Sequence, residues 1–233
     1  MLPTLDDFKE DVGRSPEDRQ FNILFLGMSH SGKTYWSGLL AQKFGYAHIE
    51  FDELIKASPE IADLIKDIIE GKDGAERMGK WFGMPWEPGF QEREAIYLPV
   101  ERGFMSADYG LGKILDLTGS AIYIPDQLKR QAKTGLVIHL ATSQEAQDQI
   151  IAKMLEKYVN EPKPVCWNGK FKPINGEIGR EDTLKRCYAL LVSSREELYK
   201  RVSDITLPYD VHKALTTAEG FMQAVYRQLE AKK

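Results

Sequence analysis

The stretch Gly27-Met28-Ser29-His30-Ser31-Gly32-Lys33-Thr34 reads G-x-x-x-x-G-K-T, and no other part of the chain limits the fold so strongly. Glycines at the two ends of such a loop let successive backbone N–H groups turn inward and cradle phosphate oxygens. The lysine reaches the β- and γ-phosphates, and the hydroxyl that follows it ligates Mg²⁺. The pattern carries weight only between a strand and a helix. Phe21 to Leu26 is an unbroken run that reads as a buried strand. Trp36, Leu39, Leu40 and Phe44 then recur at helical spacing until Gly45 stops the helix. Phosphates would rest on that helix's N-terminus, where the aligned peptide dipoles favour anions. The candidate nucleotide-binding residues are therefore Gly27, Met28, Ser29, His30, Ser31, Gly32, Lys33, Thr34 and Tyr35.

A strand–loop–helix of this kind belongs in an α/β sheet, and the rest of the chain supplies the alternation. Tyr46–Phe51 reads as a second strand, ending in the acids Glu50, Asp52 and Glu53. Ligands of open α/β sheets sit beyond the carboxyl ends of the strands, where such acids face phosphate and metal; a solvated strand end is the plainer alternative. Ser58-Pro59 caps a helix whose apolar stripe is Ile61, Leu64, Ile65, Ile68 and Ile69. Glycines and prolines across 71–89 are expected to break any long element, with Trp81, Phe82 and Trp86 as anchors under a loop, as a wall of a substrate pocket or as a dimer contact. A helix from Phe90 is expected to end or kink at Pro99. Ile114–Leu117 reads as a third strand closing on the small-residue turn Thr118-Gly119-Ser120, and Leu136–Leu140 as a fourth. His139 on that strand reads as a core histidine. A glycine-, proline- and lysine-rich stretch over about 158–180 is a lid candidate. A helix over 181–201 should bury Leu184, Cys187, Leu190, Leu191, Leu198 and Val202, and a short strand at 204–207 precedes a terminal helix capped by Thr217. The sum is a three-layer α/β/α fold around a parallel sheet of about five strands. A polar arm (1–20), a short helix or a loose segment, precedes one domain (21–233), which carries a substrate-binding insertion over about 53–112 and the lid.

Composition narrows the function classes. A net charge of −4 argues against a general nucleic-acid or membrane-surface binder, whose footprint is basic. Cys166 and Cys187 are the only cysteines and lie far apart, so free thiols in a reducing compartment are expected and a zinc site is not. No apolar run is long enough to span a bilayer, and the opening residues lack the basic-then-apolar pattern of a secretion signal. The expected location is the cytoplasm.

The loop and its helix, GMSHSGKTYWSGLLAQKFG, resemble the opening of the shikimate kinase family, within the nucleoside-monophosphate-kinase-like phosphate-loop proteins. The similarity runs over roughly residues 20–232, with extra length at 1–20, 66–89 and 99–112. The family's acidic pair D-x-D at the end of strand two matches Glu50 and Asp52, the latter 19 residues after Lys33. The resemblance implies that Glu50 lies near Mg²⁺ and that Asp52 contacts the acceptor hydroxyl. The family's F-R-x-x-E motif matches Phe90-Gln91-Glu92-Arg93-Glu94, so its carboxylate-binding arginine has become Gln91. A glutamine donates hydrogen bonds but makes no charged bidentate clamp. The substrate-contacting G-G-G turn corresponds to Thr118-Gly119-Ser120, the lid's R-P-L to Lys163-Pro164-Val165, and a second carboxylate-binding arginine to Arg195.

The resemblance thus implies ATP- and Mg²⁺-dependent phosphorylation of a hydroxyl on a small, hydroxylated and acidic metabolite. Lys33, Asp52 and Lys163 would be catalytic, Thr34 and Glu50 metal-binding, and Asp52, Gln91, Gly119, Ser120 and Arg195 substrate-binding. The altered acceptor motifs put shikimate itself in question. They leave open a non-catalytic ATP-binding regulator, or a kinase of gluconate-like polyols or nucleotides. A monomer or weak dimer is expected, with no nucleic-acid or membrane partner.

Overall fold

A computed structural model describes residues 4–68, 74–149, 152, 164–172 and 180–232. The chain divides into two compact units. The first comprises Met1–Phe51, Met105–Ser143 and Arg195–Lys233, and the second Asp52–Phe104 and Gln144–Ser194.

The first unit is built on a five-stranded, all-parallel sheet: β1 (Asn22–Leu26), β2 (Ala47–Glu50), β3 (Lys113–Asp116), β4 (Gly135–Leu140) and β5 (Ile205–Leu207). Their spatial order is β2-β3-β1-β4-β5, so the strand feeding the phosphate loop is central. All five residues of β1 and all six of β4 are buried, as strands covered on both faces must be. Side chains alternate between faces. Ile23, Phe25, Ile114, Leu136, Ile138 and Leu140 pack with Trp36 and Leu40 of α2 (Lys33–Phe44) and with Phe221 and Val225 of α11 (Ala218–Glu230). His139, on the opposite face of β4, packs against Tyr199 with ring centroids 5.3 Å apart. Tyr199 lies on α9 (Arg180–Val202). α7 (Pro125–Ala132) packs against β4.

The polar opening segment holds a short helix, one of the two forms expected of it. α1 (Leu5–Gly13) is closed by a capping box, with Thr4 and Asp7 each accepting the other's backbone N–H. Its Phe8 and Val12 join the core of the first unit. A helix absent from the sequence reading, α10 (Tyr209–Ala214), follows β5. It buries His212, whose Nε2 donates to the Ala141 carbonyl at 2.9 Å. Desolvation pushes that imidazole's pKa down, so it is held neutral.

The second unit holds most of α3 (Phe51–Ala57), then α4 (Pro59–Ile65), α5 (Gly74–Phe82) and most of α6 (Phe90–Ser106). Residues 144–149 are helical (α8), and α9 contributes its first part. Ser58 caps α4 as expected, accepting the Ile61 N–H. Among the described residues of 71–89 the one helix is the nine-residue α5, which Gly83 at φ +71° follows; its Met78 and Phe82 are both buried at i, i+4 spacing. Pro99 does not end α6. Phe90, Tyr97, Glu101 and Met105 form its buried stripe on both sides of Pro99, while the proline itself faces solvent. Burial along that stripe outweighs one lost hydrogen bond, which is the proline's cost in a helix interior. Leu190 is 53% exposed rather than inward-facing, and Leu64, on a stripe that suits a core or an interface, is 41% exposed.

Aromatic contacts organise this unit. Phe82 makes edge contacts with Phe90 at 5.2 Å and Tyr97 at 5.5 Å between ring centroids. Trp86 lies against Phe171, and buried Trp167 lies between Phe171 and Tyr188. The two tryptophans singled out in the sequence, Trp81 and Trp86, are half-buried packing residues against Phe82 and Phe171. Cys166 and Cys187 are both buried free thiols. Among the described residues no helix is long and apolar enough to cross a membrane.

Candidate active site

The phosphate loop leaves β1 at Gly27, whose φ of +151° is open to glycine and little else. A Cβ there would stand 2.7 Å from the Leu140 carbonyl oxygen and 2.8 Å from Ser31 Oγ. The loop is therefore seated directly on the end of β4. Gly32, at φ +102°, turns the chain into α2. His30 lies between them at φ +65°, in the left-handed region. Histidine, like Asn and Asp, is enriched among the few non-glycine residues found there. Met28 and Ser31 are buried, whereas Ser29, His30, Thr34 and Tyr35 face outward. Lys33 is 8% exposed, and its Nζ donates to the Met28 carbonyl at 3.3 Å. Lys213 brings a further ammonium to the loop, since its Nζ lies 3.6 Å from where a Gly32 Cβ would stand.

Thr34 Oγ1 donates to Asp116 Oδ2 at 2.6 Å. Asp116 is 4% exposed and ends β3, the strand beside the loop's own strand. Its register partner on β2 is Glu50, which is half-buried. His48, two residues earlier on the same face, has Nε2 3.9 Å from Asp116 Oδ2. Asp116 is thus the acid joined to the loop hydroxyl, and the sequence reading passed over it. Its signal was available: an acid closing a buried apolar run, two residues before a Thr-Gly turn. Among the described residues no group of three or more His, Cys, Asp or Glu is arranged to hold a metal ion. Mg²⁺ does not require one, because it keeps several waters and takes one or two carboxylates plus phosphate oxygens. Thr34, Asp116 and Glu50 offer only hard oxygen donors, which fits that ion.

After β3 the chain makes the turn Thr118-Gly119-Ser120. Thr118 Oγ1 accepts the Ala121 N–H and lies 3.2 Å from Ser120 Oγ. Arg195, from α9, is 5% exposed and reaches this turn. A Cβ on Gly119 would stand 3.1 Å from Arg195 Nη1, so the glycine gives the guanidinium its room. Arg195 Nε donates to the Tyr123 hydroxyl at 3.1 Å, and its guanidinium carbon lies 5.0 Å from the Tyr123 ring centre. One helical turn later, the Tyr199 hydroxyl donates to the Gly119 carbonyl at 2.5 Å and lies 3.8 Å from Met28 Sδ. Next to Arg195, Glu196 accepts from Thr142 Oγ1 at 2.9 Å and lies 3.2 Å from His139 Nε2. His139 is fully buried with its other ring nitrogen 3.3 Å from Thr206 Oγ1, a structural position as the sequence suggested.

The first unit therefore brings together Lys33, Thr34, Glu50, Gly119, Ser120 and Arg195. Asp52 and Gln91 belong to the second unit, where both side chains are exposed in the first turns of α3 and α6. Glu94, at the end of the Phe90–Glu94 motif, accepts the backbone N–H groups of Trp167 and Asn168, which fixes a turn where Asn168 has φ +48°. Arg93 donates to the carbonyls of Phe82 at 2.8 Å and Pro88 at 3.1 Å, so it braces the 83–89 loop. Lys163 and most of the expected lid lie outside the described residues.

No family model matches the chain. Two curated relatives named shikimate kinase are similar to it. One, from Stenotrophomonas maltophilia, is 24% identical over 208 residues, covering 88% of this chain and 91% of the relative. The other, from Actinobacillus succinogenes, is 25% identical over 205 residues, covering 88% and 94%. Solved structures agree in fold. Shikimate kinase from Acinetobacter baumannii in complex with shikimate matches with a TM-score of 0.51 at 18% identity, over 91% of this chain and 94% of that one. Shikimate kinase from Bacteroides thetaiotaomicron matches with a TM-score of 0.55 at 15% identity, over 90% and 98%. With its central phosphate-loop strand and five-stranded parallel sheet, the chain has a shikimate-kinase-like P-loop α/β/α fold.

Proposed function

We propose that the protein is an ATP- and Mg²⁺-dependent kinase that phosphorylates a hydroxyl of a small acidic metabolite, in the manner of a shikimate kinase. The observation that carries this reading is the phosphate loop joined through Thr34 to the buried Asp116. A loop lysine, a loop hydroxyl and a strand-end acid are the parts that phosphate-loop enzymes use to hold a nucleotide triphosphate and its metal. The named relatives support the same direction.

Phosphoryl transfer asks little covalent chemistry of the protein and much alignment and charge neutralisation. The backbone of residues 28–33 and the Lys33 ammonium would hold the β- and γ-phosphates. Thr34, with Asp116 and Glu50, would hold Mg²⁺, which when bound neutralises charge on the phosphate oxygens. Asp52 would orient the acceptor hydroxyl and take its proton. Arg195, with Gly119 and Ser120, would bind the acceptor's anionic group, and Gln91 would add a neutral hydrogen bond. Lys163 would complete charge neutralisation as the lid closes.

The test is ATP consumption with Mg²⁺ against a panel of hydroxy acids and polyols that includes shikimate, with Lys33→Ala as control. Acceptor-dependent turnover that Lys33→Ala and Asp52→Ala each reduce by 100-fold or more is expected. ATP binding with no turnover on any acceptor would overturn the reading in favour of a non-catalytic nucleotide-binding protein.

A further inference from the structure

We infer that Tyr123 is a positioning residue for acceptor specificity: it fixes Arg195 so that one guanidinium serves as a pre-oriented receptor for the acceptor's carboxylate. The inference rests on the reading of Arg195 as the acceptor's anion-binding group and adds a residue that no motif assigned.

Three observations converge on it. Arg195 Nε donates to the Tyr123 hydroxyl at 3.1 Å, which fixes one edge of the planar fork. The Tyr123 ring lies 5.0 Å from the guanidinium carbon, close enough for cation–π attraction, which strengthens where water is excluded. Arg195 is 5% exposed, so water competes little for these contacts. The turn is shaped to match. Gly119 leaves room for Nη1, and Tyr199 holds the Gly119 carbonyl through its own hydroxyl.

A guanidinium pairs with a carboxylate through two parallel hydrogen bonds, so the plane of the fork decides how the anion is read. Nε donates to Tyr123 and Nη1 approaches Gly119, so that plane is set before the acceptor arrives. A flexible arginine loses several rotatable bonds when it closes on a ligand, and a held one loses fewer, so affinity per contact rises. A chain with glutamine at position 91 relies on its remaining arginine, and Tyr123 makes that arginine rigid.

The deciding variant is Tyr123→Phe, which keeps the ring and removes the hydroxyl. With shikimate as probe, KM for shikimate is expected to rise about tenfold, with kcat within twofold of the parent and KM for ATP unchanged. A structural lesion would instead lower kcat and the melting temperature together. A second readout does not depend on the acceptor: hydrogen exchange at Arg195 Nε, followed by nitrogen-15 NMR. It is expected to be slow in the parent and at least tenfold faster in Tyr123→Phe. Equal exchange in the two proteins overturns the inference whatever the acceptor proves to be. So does an unchanged KM in a parent that turns shikimate over. If the parent does not use shikimate but the exchange rates differ, Tyr123 still holds Arg195 and only the choice of acceptor in the functional reading has failed.

Discussion

Gly27→Ala asks whether the seat of the phosphate loop is as tight as the geometry indicates. The added methyl would stand 2.7 Å from the Leu140 carbonyl oxygen, a backbone atom of a central strand, and 2.8 Å from Ser31 Oγ. Ser31 can rotate, but Leu140 lies in the β4 ladder and its neighbours pin it. The loop must therefore move, and alanine must also hold a φ near +151°. Holding a non-glycine residue in such a sparsely populated region costs about 1–3 kcal/mol. For a chain of this length, about 1 kcal/mol moves Tm by roughly 2–4 °C, so a fall of about 2–12 °C is expected. The same movement displaces the N–H groups that would face the phosphates, and affinity for ATP should fall at least tenfold. Gly38→Ala is the paired control, because its methyl would meet nothing within 4 Å and its backbone is helical. Alanine in a helix interior gains about 0.5–1 kcal/mol over glycine, so Tm should rise with ATP binding intact. Scanning calorimetry and ATP titration of the two variants decide the matter. A Gly27→Ala protein with parental Tm and parental ATP affinity would refute the argument.

Three further outcomes follow from single residues. Asp116→Asn keeps the shape but removes the charge beside Thr34. The gain in ATP affinity that Mg²⁺ confers should shrink about 10- to 100-fold while metal-free ATP binding holds, and an unchanged Mg²⁺ titration would exclude Asp116 from the metal site. The pKa of buried His212 is lowered, so the unfolded chain binds the extra proton. Stability is therefore retained above about pH 6.5 and lost as pH falls below it. Melting curves from pH 8 to pH 5 should fall more steeply for the parent than for His212→Gln, and parallel curves would refute this. His30→Val should lower Tm and ATP affinity through its φ of +65°, whereas His30→Gly should not; equal behaviour of the two would show that the left-handed geometry is unimportant.

The parts of the fold that are local in sequence were legible. The β1–loop–α2 unit, the Ser58 and Thr217 caps and the strand at 113–116 are each written within one short continuous stretch. Strand order was not legible, because each parallel crossover joins segments whose pairing depends on packing elsewhere in the chain. That the helix runs on past Pro99 was not legible for a related reason: the cost of a proline is local, while the burial of Phe90, Tyr97 and Met105 that offsets it is tertiary. Helical spacing picked out Leu64 and Leu190 as apolar but not as exposed, since a stripe shows a face and not what covers it. In the site, Lys33 and Thr34 announced themselves by motif. Asp116 did not, because one acid after a strand is common until Thr34 is seen bonded to it. Tyr123 and Arg195 are 72 positions apart, and nothing short of the folded chain joins them.

Tyr199 touches Met28 in the phosphate loop and Gly119 in the 118–120 turn with the same oxygen atom. That shared atom limits how this chain can change over evolutionary time. A substitution that re-aims the 118–120 turn also disturbs the phosphate loop, so changes arising at position 119 are felt at position 28. Positions 28, 119 and 199 should behave as one heritable unit, with changes tolerated in one requiring compensating changes in the others.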